Sequence, residues 1–488
     1  MTYPRLRPSR GNSLRARVLA VALAGALAPL ALAVPAAQAA TAAAPYDFDG
    51  DGRADLAIGA PDATVGGQSK AGAVSVVYGG SAGLKTATRT LITQNTSGVP
   101  GTAEAGDAFG SAVASADLNK DGYADLLIGA PGEDVDGDTN GGTVVVVWGA
   151  KSGLSGSRTL VDYWTEETDR YGQALAVGDL DGDGDLDAVI GSTGSSALNF
   201  VNGPITRSGS FQGGSGAGFP APYSPSYGVT SVSAGRVSPA WSASLVVHGR
   251  RPGTGAAVTH LVTDPSIGNY TDWWQQLPAG TVSAIGDIDK DGYADIAVGN
   301  PAEPSADPAG AKGGRVTVVY GGPGGKDTSR APLVLGQDTP GVPGAAETGD
   351  GFGGSVFLGD VDGDGFKDLA VGASGEDSGT GSVTVLHGTA SGLTTKGAVS
   401  YTQNTAGVPG TAEKGDRFGA RVLLADHSGD HRAELTVAGP GENAGDGAVW
   451  SLRGAAGGPT TAGALSFGPS TTGVSTAGAP RYGAVLNN

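Results

Sequence analysis

Short runs of Val, Ile, Leu and Ala recur along the chain, and clusters of Gly, Asp, Asn and Pro separate them. L-A-I-G-A from position 56, A-V-S-V-V-Y from 73 and R-V-T-V-V-Y from 315 are examples. Runs this short, bounded by turn residues and without long helical periodicity between them, predict an all-β protein of many strands. The segments 73–78, 143–148, 197–201, 315–320 and 382–386 each follow a Gly-rich turn and are usually followed by Gly, which marks them as one recurrent strand.

The first 39 residues break the pattern. Arg5, Arg7, Arg10, Arg15 and Arg17 precede an apolar run from Val18 to Ala33, and the small triplet Ala37-Gln38-Ala39 follows. A basic start, a short apolar stretch interrupted by Pro29 and a small-residue site predict a signal peptide over 1–39, a single domain over 40–488 and a secreted protein. The run is short for a permanent anchor, and no membrane insertion is expected.

Polar positions carry the clearest signal. The pattern D-x-D-x-D-G-x-x-D starts at Asp47, Asp179, Asp287 and Asp360, with a variant at Asp117 that has Asn119 in third place. The acidic positions are Asp47, Asp49, Asp51 and Asp55, then Asp117, Asp121 and Asp125, and then Asp179, Asp181, Asp183 and Asp187. Asp287, Asp289, Asp291 and Asp295 follow, and Asp360, Asp362, Asp364 and Asp368 complete the set. Three or four carboxylates within nine residues repel one another unless a cation sits among them, and oxygen-only ligands suit a hard ion such as Ca²⁺, at about five sites. Gly at the sixth position permits the sharp turn. The seventh position, Arg53, Tyr123, Asp185, Tyr293 or Phe366, is expected to contribute its backbone carbonyl. An EF-hand is excluded, because the twelfth position is apolar (Ile58, Ile128, Ile190, Val298, Val371) and strand-forming residues follow the loop. The alternative of a bare polar turn needs one or two Asp, not four.

An aromatic-Gly pair stands eight residues before most loops: Phe109-Gly110, Tyr171-Gly172, Phe352-Gly353 and Phe418-Gly419, with Ala279-Gly280 before Asp287. The loops are followed by I-G-A-P from Ile58, I-G-A-P from Ile128 and V-G-N-P from Val298. This combination resembles the FG-GAP repeat family, known from the N-terminal region of integrin α-subunits and from secreted bacterial proteins. The resemblance implies a seven-bladed β-propeller of four-stranded antiparallel blades, with calcium in the hairpin between the first two strands of a blade. Asp426, Ser428, Asp430 and Glu434 form a degenerate sixth loop with His431 for the turn Gly, and weaker metal binding is expected there. Arg236, Ser238, Ala240 and Ser244 stand where a further blade would carry acids, so that blade should fold without metal. The first loop lacks an upstream aromatic-Gly strand, and Tyr482-Gly483-Ala484-Val485-Leu486 lacks a loop after it. Pairing of the C-terminal strand with the first blade would close the ring and remove two open edges.

The chain contains no Cys, so an exported protein of this sequence must draw its stability from burial, closure or metal. Its formal charge is −18, and because residues 1–39 hold five Arg and no acid, the remainder stands at −23. Nucleic acid is a poor partner for that surface. The function expected is a non-catalytic binding or adhesion module for an extracellular protein or glycan, acting as a monomer. The alternative is the scaffold of a glycan- or lipid-acting hydrolase or lyase. Against it, His248, His260, His387, His427 and His431 show no metal-type spacing, and the acids are committed as calcium ligands. Tyr163-Trp164 and Trp273-Trp274 are aromatic clusters that either bind a ligand or pack between blades.

Overall fold

The computed structural model describes residues 42–160, 168–194, 198–208, 223–240, 242–263 and 274–487. The expected signal peptide, Tyr163, Trp164 and Trp273 lie outside the described residues.

Among the described residues, seven antiparallel sheets of three or four strands succeed one another along the chain and form the seven blades of a propeller. Blade 1 holds Leu56–Ala60, Ala73–Tyr78 and Lys85–Ile92, with Val485–Leu486 added on its inner edge. Blade 2 holds Ala112–Ala116, Asp125–Ala130, Thr143–Val147 and Ser157–Leu160. Blade 3 shows three strands, Thr168–Gly178, Asp187–Gly194 and Leu198–Val201, and residues 209–222 beyond its outer strand lie outside the described residues. Blade 4 has Val229–Gly235, Ser244–Arg250, Ala257–Val262 and Trp274–Gln276. Blade 5 has Val282–Gly286, Asp295–Asn300, Arg315–Val319 and Leu333–Leu335. Blade 6 has Phe352–Gly359, Asp368–Ala373, Ser382–His387 and Thr394–Tyr401, and blade 7 has Arg421–Ala425, Glu434–Gly439, Ala448–Arg453 and Thr460–Phe467.

The second and third strands are apolar at nearly every position because both faces are covered by neighbouring blades. Outer strands such as Lys85–Ile92 are exposed along most of their length. Apolar side chains gather into seven clusters, one between each adjacent pair of blades. The aromatic residue of each aromatic-Gly pair is buried in the cluster shared with the preceding blade: Phe109, Tyr171, Phe352 and Phe418. Ala279 leaves the blade 4–5 cluster without that ring, and it is the smallest of the seven. Each fully buried Phe contributes about 1.5–3 kcal/mol.

Both glycines of the repeat have one cause. Gly59, Gly129, Gly299 and Gly372, which open each G-A-P-like turn, lie against the carbonyl of Gly110, Gly172, Gly353 and Gly419 in the next blade. A Cβ at Gly129 would stand 2.0 Å from the Gly172 oxygen. The motif therefore records where the backbones of adjacent blades touch.

Ring closure occurs as the sequence predicts. Ile58 pairs with Leu486 and Gly59 with Val485. Tyr482 fills the blade 7–1 cluster and its hydroxyl meets Ser75 Oγ at 2.9 Å. Asn487 adds a polar clamp: Ala57 N–H donates to its Oδ1 at 2.7 Å, and its Nδ2 donates to the Asp55 carbonyl at 2.9 Å.

Alternation of strand direction puts the 1–2 and 3–4 hairpins on one face and the 2–3 turns and blade-to-blade connections on the other. Three connections of nearly the same sequence, 94–107, 337–350 and 403–416, cross on that second face. The Gln94, Gln337 and Gln403 amides donate to Glu133, Glu376 and Glu442 of the next blade.

Candidate metal centres

Each acidic loop is built from local carboxylate turns. Asp47 accepts the N–H groups of Asp51 and Gly52 at 3.0 Å each, and Asp117 accepts those of Asp121 and Gly122 at 3.0 and 2.9 Å. Asp360 accepts from Gly363 and Gly365 at 2.7 Å each. The third-position side chains Asp49, Asn119, Asp181 and Asp362 accept the N–H two residues on. The fifth-position carboxylates Asp51, Asp121, Asp183, Asp291 and Asp364 accept from Arg53, Tyr123, Asp185, Tyr293 and Phe366. Only a short side chain reaches its own backbone two residues later, which is why these positions hold Asp or Asn and never Glu.

The turns bring the acids together. Carboxylate oxygens of Asp47, Asp49 and Asp51 lie within 4.8 Å of one another, as do those of Asp179, Asp181 and Asp187, of Asp287, Asp289 and Asp291, and of Asp360, Asp362 and Asp364. Burial, followed by repulsion from Asp51, raises the Asp49 carboxyl. Asp287 Oδ1 and Asp289 Oδ1 are buried and take no hydrogen bond. Crowded, partly buried oxygens of this kind are the donors that a hard divalent cation takes. Basic side chains offset part of the charge: Arg330 Nη1 reaches Asp289 Oδ2 at 2.7 Å, Arg207 reaches Asp121 at 3.0 Å, and Lys120 pairs with Asp185.

The ninth position plays a different part. Asp55, Asp125, Asp187, Asp295 and Asp368 are buried, and each accepts two backbone N–H groups. One comes from the loop's second residue: Phe48, Leu118, Leu180, Ile288 or Val361, at 2.8–3.1 Å. The other comes from the Gly after the third strand: Gly79, Gly149, Gly203, Gly321 or Gly388, at 2.8–2.9 Å. The ninth carboxylate thus ties the 1–2 hairpin to the 3–4 hairpin. Burial pushes Asp55 up to about 8, Asp125 and Asp295 to about 7, and Asp187 and Asp368 to about 6. Asp295→Ala is therefore expected to cost about 2–4 kcal/mol in urea unfolding even with chelator present, because two backbone donors lose their acceptor. Asp291→Ala should cost about 1 kcal/mol or less under the same conditions. Equal losses would show that the ninth position has no separate structural part.

The degenerate loops behave differently from one another. In blade 7, Asp426 accepts from Gly429, Asp430 and His431, and Glu434 replaces the ninth Asp with bonds from His427 and Ser428. Ser428 donates its hydroxyl to Asp426 at 3.3 Å, so the third position is a donor there and not an acid. In blade 4 the turn survives on hydroxyls: Ala240 N–H donates to Ser238 Oγ, and Ser244 Oγ donates to the Thr263 carbonyl. Arg236 occupies the first position.

Sequence reasoning missed two groups. The third-strand glycines were visible only as a habit of ending in Gly, whereas their N–H groups complete the ninth-position latch. The histidines show no metal-type spacing in the sequence, yet the fold brings the His387 ring to Asp362 and Asp368, with ligand atoms within 4.8 Å of one another. Its distance in sequence from the loop hid it. His431 is exposed in the blade 7 loop, whereas His248 and His427 serve the interior. His248 bonds Thr259 and Ser283, His427 bonds the Ala54 carbonyl at 2.7 Å, and burial pushes both down to about 4. Trp274 packs on Tyr223 and His260, with ring centres 6.1 and 5.2 Å apart, in the blade 3–4 cluster. Tyr223, which the sequence did not mark, supplies the buried ring there.

Blades of this kind, joined backbone to backbone through paired glycines and most of them carrying an acidic first hairpin, define a repeat propeller. The FG-GAP repeat model matches residues 39–77, 109–147, 171–214, 279–319 and 352–386, so the chain carries five FG-GAP repeats within its β-propeller. It is 37% identical over 143 residues to phosphatidylinositol-glycan-specific phospholipase D of Rattus norvegicus, a match covering 29% of this chain and 17% of that protein. Integrin alpha-5 of Xenopus laevis is 36% identical over 99 residues, covering 20% of this chain and 8% of the integrin. The chain thus corresponds to less than one fifth of either relative's length. The solved Dos1 propeller aligns over 79% of each chain at 10% identity, with a TM-score of 0.41.

Proposed function

We propose that the chain is an extracellular, calcium-stapled propeller that serves as a non-catalytic binding or adhesion module for a protein or glycan. The observation that carries the proposal is the recurrence, on one face, of a hairpin that turns three or more carboxylate oxygens toward a single point. Likeness to an integrin α-subunit supports an adhesive role. Among the described residues, no helix is long and apolar enough to cross a membrane. The calcium face holds the blades, which leaves the connections of the opposite face as the surface for a ligand. Catalysis is not part of the proposal, since the loop acids serve the cation and His248, His260 and His427 are held in the interior as side-chain props.

Calorimetric titration of chelator-stripped protein tests the reading. About five calcium ions per chain are expected, one per acidic loop, as the repeat predicts. Asp291→Ala is expected to remove one, and Ser238→Ala none. Absence of a calcium heat would leave the loops as bare turns and overturn the proposal.

A further inference from the structure

Resting on the reading of the acidic loops as cation sites, we propose that the blade 6 loop is a mixed nitrogen–oxygen site, with His387, Asp362 and Asp368 as ligands for a transition-metal dication such as Zn²⁺ or Co²⁺. The residue that precedes the third-strand Gly differs between blades. It is Tyr78, Trp148 and Tyr320 in blades 1, 2 and 5, and it is His387 in blade 6. His387 Nδ1 lies 3.3 Å from Asp368 Oδ1 and 3.6 Å from Asp362 Oδ2. That nitrogen is buried and takes no hydrogen bond of proper geometry.

Two oxygens and one imidazole nitrogen converge on a point where the sibling blades offer oxygen alone. Calcium takes oxygen ligands and gains little from imidazole, whereas Zn²⁺, Co²⁺ and Ni²⁺ bind it readily. The ring also lies beside Gly458 of blade 7, where a Cβ would stand 3.3 Å from His387 Cε1. Both carboxylates are themselves oriented. Asp368 accepts from Val361 and Gly388 at 2.8 and 2.9 Å, and Asp362 accepts from Asp364 at 3.1 Å. Fixed ligands favour a cation that demands a defined geometry.

Co²⁺ titration of the chelator-stripped chain, followed by visible absorption, tests the site. One tight Co²⁺ per chain with ligand-field bands is expected, displaced by Zn²⁺ and not by a modest excess of Ca²⁺. His387→Tyr, which installs the residue of blades 1 and 5, should weaken that site at least about tenfold, since even loss of an outer-shell partner costs that much. His387→Gln, a smaller change, should do the same, and both variants should keep the wild-type calcium count at the other loops. Co²⁺ binding unchanged by either variant, with calcium binding intact, would overturn the inference and leave His387 as an ion-pair partner of Asp368. Failure of all loops to bind calcium would instead overturn the reading of the loops themselves.

Discussion

Saturating calcium is expected to raise the melting temperature of the chelator-stripped protein by about 5–10 °C. Extracellular loops of this type bind calcium with dissociation constants of about 10⁻⁴ to 10⁻³ M. A cation present at about ten times its dissociation constant, and bound only by the folded state, adds about 1.4 kcal/mol per site. Five sites then add about 7 kcal/mol, and a chain of this length needs on the order of 1 kcal/mol per degree. The stabilisation has a structural route. Each loop joins the innermost strand of a blade to the second, and its ninth carboxylate also holds the Gly after the third strand. A cation among the acids therefore tightens three strands at once. Differential scanning calorimetry in calcium and in chelator measures the shift, and superimposed curves would remove calcium from the account of stability.

A second large effect is the dependence of the metal-free protein on pH. Burial raises the ninth-position acids of all five loops, Asp55 most strongly, to about 8, and it raises Glu434 of blade 7 to about 7. An unfolded chain releases these protons near pH 4, while the folded, metal-free chain keeps them to pH 6–8. Between those limits the native state binds more protons than the unfolded state, so stability falls as pH rises. The contribution is fully present below about pH 4 and is gone once pH passes the folded value of each group. Without calcium, the melting temperature is expected to drop by on the order of 15 °C between pH 5 and pH 8, at about 1.4 kcal/mol for each pH unit over which only the folded chain keeps a carboxyl protonated. With calcium the loss is largely abolished, because the cation supplies the charge that the proton otherwise supplies. The calcium-induced gain should therefore widen from pH 5 to pH 8. Melting curves that run parallel with and without calcium across that range would contradict the linkage.

Much of the structure was legible in the chain because its signals are local. A nine-residue loop of Asx turns needs its Asp residues at alternate places and a Gly at the sixth, so Asp47 to Asp55 and its copies announce themselves without knowledge of any partner. Repetition multiplied that signal and set the blade count. The blade around Arg236 and Ser238 was recognised although its acids are gone, because the apolar strand pattern outlasts the metal chemistry. Even closure was legible: an aromatic-Gly strand without a loop at one end of the chain matched a loop without such a strand at the other.

What depended on distance in sequence was hidden. Only the closed ring brings Gly110 against Gly59 and Gly172 against Gly129, and so explains why the motif needs both glycines. The hairpin opposite each loop carries the N–H that latches Asp55 to Gly79 and Asp368 to Gly388, and the same hairpin places His387 at the blade 6 acids. Trp274 read equally well as a ligand contact or as packing, and its place beside Tyr223 and His260 decided for packing. The sequence by itself determined the strands, the loops and the number of blades, because turn chemistry and apolar runs act over a few residues. Tertiary structure decided which groups share each site, because those contacts join hairpins that only the stacking of blades brings within reach.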